Sequence, residues 1–152
     1  MPKEGAAAPA FSAMDANGKP VKLKELRGRK VVLYFYPKDD TPGCTKEACS
    51  FRDSFSEFRK RGITVLGVSP DSEASHKKFT DKYKLPFTLV ADKDHAIADA
   101  YGVYGEKKFM GRTYMGVHRT TFLIDENGKI KKIFEKVKPD EHAREVLEAF
   151  EN

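Results

Sequence analysis

Cys44 and Cys49 are the residues of this 152-residue chain whose type and spacing point most directly to chemistry. Four residues separate them. Two thiols so close cannot frame a disulfide-stapled miniature protein, and a chain of this length does not need such staples. A close pair of this kind carries out redox chemistry, binds a metal, or packs as two inert core thiols. The histidines, His76, His95, His118 and His142, are scattered and lack ligand spacing to either cysteine. No metal and no organic cofactor is therefore expected. A disulfide oxidoreductase is disfavoured because the pair reads C-x4-C rather than C-x-x-C.

The elements around the pair suggest how it is placed. Lys30–Tyr36 is a continuous β-branched and aromatic run, the pattern of a strand covered on both faces. It ends in the turn-like cluster Pro37-Lys38-Asp39-Asp40. From Thr45 to Arg61 the period changes to that of a helix, with Ala48, Phe51, Phe55 and Phe58 on one side and Gly62 as its stop. Cys44 thus follows the end of a strand and enters the first turn of a helix. Helix N-termini attract negative charge, and a thiolate is such a charge. Thr41 adds a hydroxyl just before it, and Gly43 allows close approach to the backbone. Position alone leaves a buried, inert cysteine equally open.

The rest of the chain alternates strands and helices. A strand is predicted over Ile63–Val68, a helix from about Asp71 to Tyr83 capped by Ser72 or Asp71, and a short strand over Phe87–Val90. A helix from about Asp94 to Tyr101 follows. Arg119–Ile124 and Lys129–Phe134 read as a hairpin around Asp125-Glu126-Asn127-Gly128, and Pro139 opens a last amphipathic helix with Ala143, Val146, Leu147 and Phe150 on one face. A second hairpin turns at Asp15-Ala16-Asn17-Gly18. With no repeat or linker, residues 1–152 are expected to form one domain. The order implies an α/β protein with a thioredoxin-like fold: a central mixed β-sheet flanked by helices, with an N-terminal β-hairpin extension. Gly102–His118, rich in glycine and aromatic residues, resists assignment. It is expected to be a functional irregular stretch such as a lid, or to hide a short helix.

Bulk composition narrows the classes. The net charge is +5, but basic residues are interleaved with acids, so no nucleic-acid surface is expected. No apolar run approaches the roughly 20 residues of a membrane helix, and Met1–Ala6 lacks the apolar stretch of a secretory signal. The expectation is a cytoplasmic protein with no membrane partner.

Pro37-Lys38-Asp39-Asp40-Thr41-Pro42-Gly43-Cys44 fits the peroxiredoxin pattern of proline, three residues, threonine, two residues, cysteine. Tyr34-Phe35-Tyr36-Pro37, Thr45-Lys46-Glu47-Ala48-Cys49, Lys84-Leu85-Pro86-Phe87, Ala100-Tyr101-Gly102-Val103 and Arg119-Thr120-Thr121-Phe122-Leu123-Ile124-Asp125 extend the match over nearly the whole chain. The sequence resembles the bacterioferritin-comigratory-protein (PrxQ-type) branch of the peroxiredoxins. That resemblance implies a thiol-dependent peroxidase in which Cys44 attacks a hydroperoxide substrate, Thr41 and Arg119 activate it, and Pro37 shields the pocket. It further implies that Cys49 resolves the oxidised Cys44 as a disulfide, that thioredoxin or a similar dithiol reduces the bond, and that the protein is a monomer. A redox sensor that oxidises without turnover is the competing reading.

Overall fold

The computed structural model describes residues 1–151. Nine strands and five helices follow one another as β1 (Ser12–Asp15), β2 (Pro20–Lys22), β3 (Lys30–Phe35), α1 (Pro42–Asp53), α2 (Phe55–Lys60), β4 (Ile63–Ser69), α3 (Glu73–Tyr83), β5 (Thr88–Ala91), α4 (Ala96–Ala100), β6 (Tyr104–Phe109), β7 (Arg112–Val117), β8 (Thr120–Ile124), β9 (Ile130–Phe134) and α5 (His142–Glu151). Seven strands form a mixed sheet in the order β2-β1-β5-β4-β3-β8-β9. β3, β4 and β5 run parallel, while β1 and β8 flank them antiparallel. The N-terminal hairpin therefore extends the sheet at its β5 edge.

β3 organises both layers. Its side chains alternate, as any strand's must. Val32, Tyr34 and Tyr36 enter a core with Ala48, Phe51, Phe58, Phe79 and Val146, under α1, α2, α3 and α5. Val31, Leu33 and Phe35 enter a second core with Ile97, Tyr101 and Phe122, under α4. A strand buried on both faces must read as an unbroken apolar run, which is how β3 reads.

Both predicted hairpin turns are present, and they are nearly identical Asx turns. In Asp15-Ala16-Asn17-Gly18-Lys19 the Asp15 carboxylate accepts from the N–H groups of Asn17 and Lys19. In Asp125-Glu126-Asn127-Gly128-Lys129 the Asp125 carboxylate does the same for Asn127 and Lys129. Gly18 and Gly128 supply φ values of 76° each. Ser72, not Asp71, caps α3, accepting from Ser75 N–H at 3.2 Å.

Three sequence expectations need correction. The helix expected over Thr45–Arg61 is two helices, broken at Ser54, whose φ and ψ of −105° and 8° leave the helical basin. Asp53-Ser54 offers the polar side chains that favour helix ends, and the break lets Phe51 and Phe58 both reach full burial. The last helix begins at His142, after a turn in which Glu141 N–H bonds to the Lys138 carbonyl. Gly102–His118 is neither irregular nor helical: β6 and β7 pair in register from Tyr104↔Val117 to Phe109↔Arg112 as a separate two-stranded sheet.

His142 starts α5 with its ring fully buried, packed edge-on against Phe51 and Phe134 at centroid distances of 5.6 and 5.3 Å. Its Nε2 meets Thr121 Oγ1 at 2.7 Å. Burial, aided by the nearby Arg119 charge, holds it down to about 4, so the folded state keeps it neutral. Its contribution is fully present above the ordinary histidine value of about 6.5 and is lost as pH falls toward 4. Urea midpoints at pH 7 and pH 4 should show the wild type losing up to about 3 kcal/mol more than His142→Gln over that interval. Parallel losses in the two proteins would refute the assignment.

Candidate active site

Cys44 is the third residue of α1 and is buried beyond the carboxyl end of β3. The first intrahelical bond runs from Thr45 N–H to the Thr41 carbonyl at 2.8 Å, so the N–H groups of Gly43 and Cys44 precede the helical ladder. Thr41 occupies the cap position, with Pro42 opening the helix as proline should. Its hydroxyl does not cap; Oγ1 donates to the Lys38 carbonyl at 2.9 Å. Pro37, half-buried, leads out of Tyr36 into this loop.

Arg119 arrives from the other side of the sheet order. β8 runs antiparallel to β3 with Phe35 opposite Thr120, so the residue before β8 emerges at the same edge as the loop after β3. That register brings together residues 75 apart in sequence: Arg119 Nη2 donates to Cys44 Sγ at 3.3 Å. Arg119 Nη1 donates to Glu47 Oε1 at 2.6 Å. Gly43 permits the approach, because a Cβ there would lie 3.1 Å from Arg119 Nη2. The close approach to the backbone that the sequence suggested for this glycine is made by the guanidinium.

Glu47 is the member that the sequence did not reveal. It sits one turn after Cys44, fully buried, with Oε2 lacking a protein partner. Burial raises its carboxyl to about 7, against the opposing pull of Arg119. Arg119 itself is pulled down by burial, but Glu47 and the Cys44 sulfur more than offset this and it holds its proton more firmly than usual. The hairpin contributes as well. The Lys107 ammonium on β6 bonds to the Val117 carbonyl at 2.9 Å and is held below its ordinary value by burial and by Arg119. A basic residue of the unassigned segment thus reaches the electrostatic field of the site.

Cys49 lies on the same helix, half-buried, and both thiols are free. Five helical residues put their Cα atoms roughly 8.6 Å apart, whereas a disulfide needs about 4.4–6.8 Å.

Asp39, Asp71 and His76 bring ligand-type atoms within 4.8 Å of one another. Those atoms already serve each other and their neighbours. Asp39 accepts from Tyr36 Oη at 2.6 Å and Ser75 Oγ at 2.8 Å and meets His76 Nδ1 at 2.7 Å, while Asp71 accepts from Ser69 Oγ and Asp39 N–H. The group braces the loop before α1.

A buried thiol in the first turn of a helix thus accepts from an arginine whose other arm a buried glutamate holds. The AhpC/TSA family matches residues 5–133. The chain belongs to that family. Peroxiredoxin Bcp of Escherichia coli K12 is 47% identical over 145 residues, covering 95% of this chain and 93% of the relative. A cysteine mutant of Xylella fastidiosa PrxQ superposes with a TM-score of 0.93 at 34% identity, covering 99% and 96% of the two chains. The bacterioferritin comigratory protein of Xanthomonas campestris, whose structures concern alkyl peroxide reduction, superposes with a TM-score of 0.90 at 37% identity, covering 98% of each chain. This peroxiredoxin has the thioredoxin fold expected from the order of its elements and is a thiol-dependent peroxidase. Among the described residues no helix is long and apolar enough to cross a membrane.

The raised Glu47 carboxyl has a consequence for stability. The folded state favours its protonated form, so stability falls as pH rises from the ordinary carboxylate value of 4.5 to about 7. Relative to Glu47→Gln, wild type should lose up to about 3 kcal/mol between pH 4.5 and pH 8, read from urea midpoints. A constant difference between the two proteins would show that Glu47 is not the group titrating.

Proposed function

We propose that Cys44 is the attacking thiolate, Arg119 and Thr41 its activating partners, Pro37 the shield of the pocket and Cys49 the resolving thiol. The observation that carries this reading is the Arg119 Nη2–Cys44 Sγ bond of 3.3 Å, made while Glu47 holds the other arm of the guanidinium. The Cys44 sulfur attacks the distal oxygen of a hydroperoxide. The S–O bond forms as the O–O bond breaks, and the alcohol or water leaves with a proton, giving Cys44 sulfenic acid. Arg119 and the helix N–H groups lie where the leaving oxygen gathers charge. Thr41 already donates to Lys38, so its lone pairs are open to accept the hydroperoxide O–H.

Cys49 thiol then condenses with the sulfenic acid, forming the S–S bond and releasing water. An external dithiol of the thioredoxin type returns both thiols and carries away the electron pair as its own disulfide. Helix geometry requires α1 to unwind between the two steps, since about 2 Å or more of Cα approach is needed. The alkyl peroxide activity of the Xanthomonas relative supports organic hydroperoxides as substrates beside hydrogen peroxide. We place the enzyme in the cytoplasm as a single-domain monomer.

Counting peroxide consumed per protein molecule, with a reducing system present, separates turnover from single oxidation. Cys44→Ser should abolish consumption. Cys49→Ser should oxidise once at the wild-type rate and then stop. Normal turnover in either variant contradicts its role. Arg119→Ala should slow the first oxidation roughly 10²–10³-fold, the effect of losing one charged donor to a developing oxyanion. A rate within twofold of wild type in stopped flow would remove Arg119 from the mechanism.

A further inference from the structure

The stretch of chain that must unwind is tied to the last turn of α3 at both flanks. Asp40 stands just ahead of the Thr41 cap, and its carboxylate accepts from Lys82 Nζ at 2.7 Å and from Tyr83 Oη at 2.9 Å. Beyond Cys49, Arg52 Nη1 donates to the Tyr83 carbonyl at 2.8 Å. Tyr83 thus grips the chain before and after both cysteines, and Lys82 adds a second hold on the first flank. The two ties ahead of α1 differ in kind. Asp39 is buried and multiply bonded to Tyr36, Ser75 and His76. The Asp40 and Lys82 side chains are 42% and 57% exposed.

Asp40 also occupies the left-handed region, with φ of 57°. A non-glycine residue there persists because its surroundings hold it. The bonds from Lys82 and Tyr83 supply that hold, and they keep the Asp40 carboxyl below its ordinary range, so the tie is charged at neutral pH.

We propose that the Lys82–Tyr83 turn is a releasable latch on Asp40 that keeps α1 wound, and that its release limits how fast Cys44 sulfenic acid meets Cys49. The proposal rests on the reading of Cys44 and Cys49 given above. Closure joins the two sulfurs and expels the sulfenic oxygen as water with the Cys49 proton. While the latch holds, the sulfenic acid stays beside Arg119, where a second hydroperoxide can convert it to sulfinic acid and leave as its alcohol. Lys82 and Tyr83 are positioning residues: they decide the partition between closure and over-oxidation without touching the reacting atoms.

Tyr83→Phe and Lys82→Met, singly and together, remove the latch from the α3 side and leave Asp40 in place. Mass spectrometry of oxidised wild type first establishes the Cys44–Cys49 bond; its absence would overturn the cysteine assignment and the latch with it. With the bond present, rapid quench with a thiol-blocking reagent resolves sulfenic acid formation from closure. Closure should be about threefold faster in each single variant and roughly tenfold faster in the double, the scale of exposed charged ties. The first oxidation should stay within twofold of wild type. The peroxide concentration that gives half sulfinic acid should rise in step with closure. Raising salt from about 50 to about 500 mM should speed closure in wild type but not in the double variant, because only the exposed pair is screened. Unchanged closure in the double variant, or a proportional fall in both steps, would overturn the latch.

Discussion

The Arg119 guanidinium is held by a carboxylate that would otherwise be an uncompensated buried group. Glu47 is fully buried, its Oε1 accepts from Arg119 at 2.6 Å, and its Oε2 has no hydrogen-bond partner among the described residues. Such a pair is expensive to assemble and weak as a source of stability. What it supplies is direction. With one arm fixed on Glu47, the other arm of a rigid fork points at Cys44 Sγ. Everything else serves that alignment: the helix start that places Cys44 and Glu47 one turn apart, the glycine that leaves room for the fork, and the β3–β8 register that delivers Arg119 to the right edge.

The sheet enforces that register because β3 cannot slip. A shift of one residue against β8 would exchange Val32, Tyr34 and Tyr36 with Val31, Leu33 and Phe35 between two cores of different shape. Tyr34 stacks on Phe51 at 4.8 Å, and Phe35 meets Phe122 edge-on at 5.8 Å. The aromatic packing that stabilises the domain core is therefore the same packing that fixes the distance from Arg119 to Cys44. Fold and site share one constraint.

Much of this was legible in the sequence, where the signal is local or periodic. The apolar run of β3, the helical spacing of Ala48, Phe51, Phe55 and Phe58, and the two Asp-x-Asn-Gly-Lys turns each reflect a backbone preference written in adjacent residues. Glu47 was not legible, because on a helix it reads as one more polar spacer between Ala48 and Cys44; only the tertiary arrival of Arg119 makes its burial tolerable. The β6–β7 hairpin was hidden for a different reason. Its turn places Met110 and Gly111 at φ of 50° and 78°, a geometry that usually announces itself as Asn-Gly. Its strands also fail to alternate, since Phe109 is exposed at the end of β6 and the neighbours Tyr114 and Met115 are both exposed on β7. The break at Ser54 escaped because Phe51, Phe55 and Phe58 keep helical spacing across it.

The helix that carries both cysteines faces two incompatible demands. In the proposed cycle attack needs α1 wound, since the wound form keeps Glu47 on Arg119 and Arg119 on Cys44 Sγ. Closure needs it unwound, since five helical residues hold the sulfurs apart. The location of the pair at a helix start reconciles the two, for the first turn has few intrahelical bonds to lose. Burial opposes the change: Cys44, Glu47, Ala48 and Phe51 are all buried on this helix. Phe51 contacts Tyr34, Phe58, Phe87 and His142, so unwinding that reached it would open the core. Unwinding that stops before Phe51 exposes Cys44, Glu47 and Ala48 but keeps the aromatic cluster. Cys49, the resolving thiol of the proposed cycle, stands two residues ahead of Phe51 and so lies near the far limit of what α1 can release while the domain stays folded.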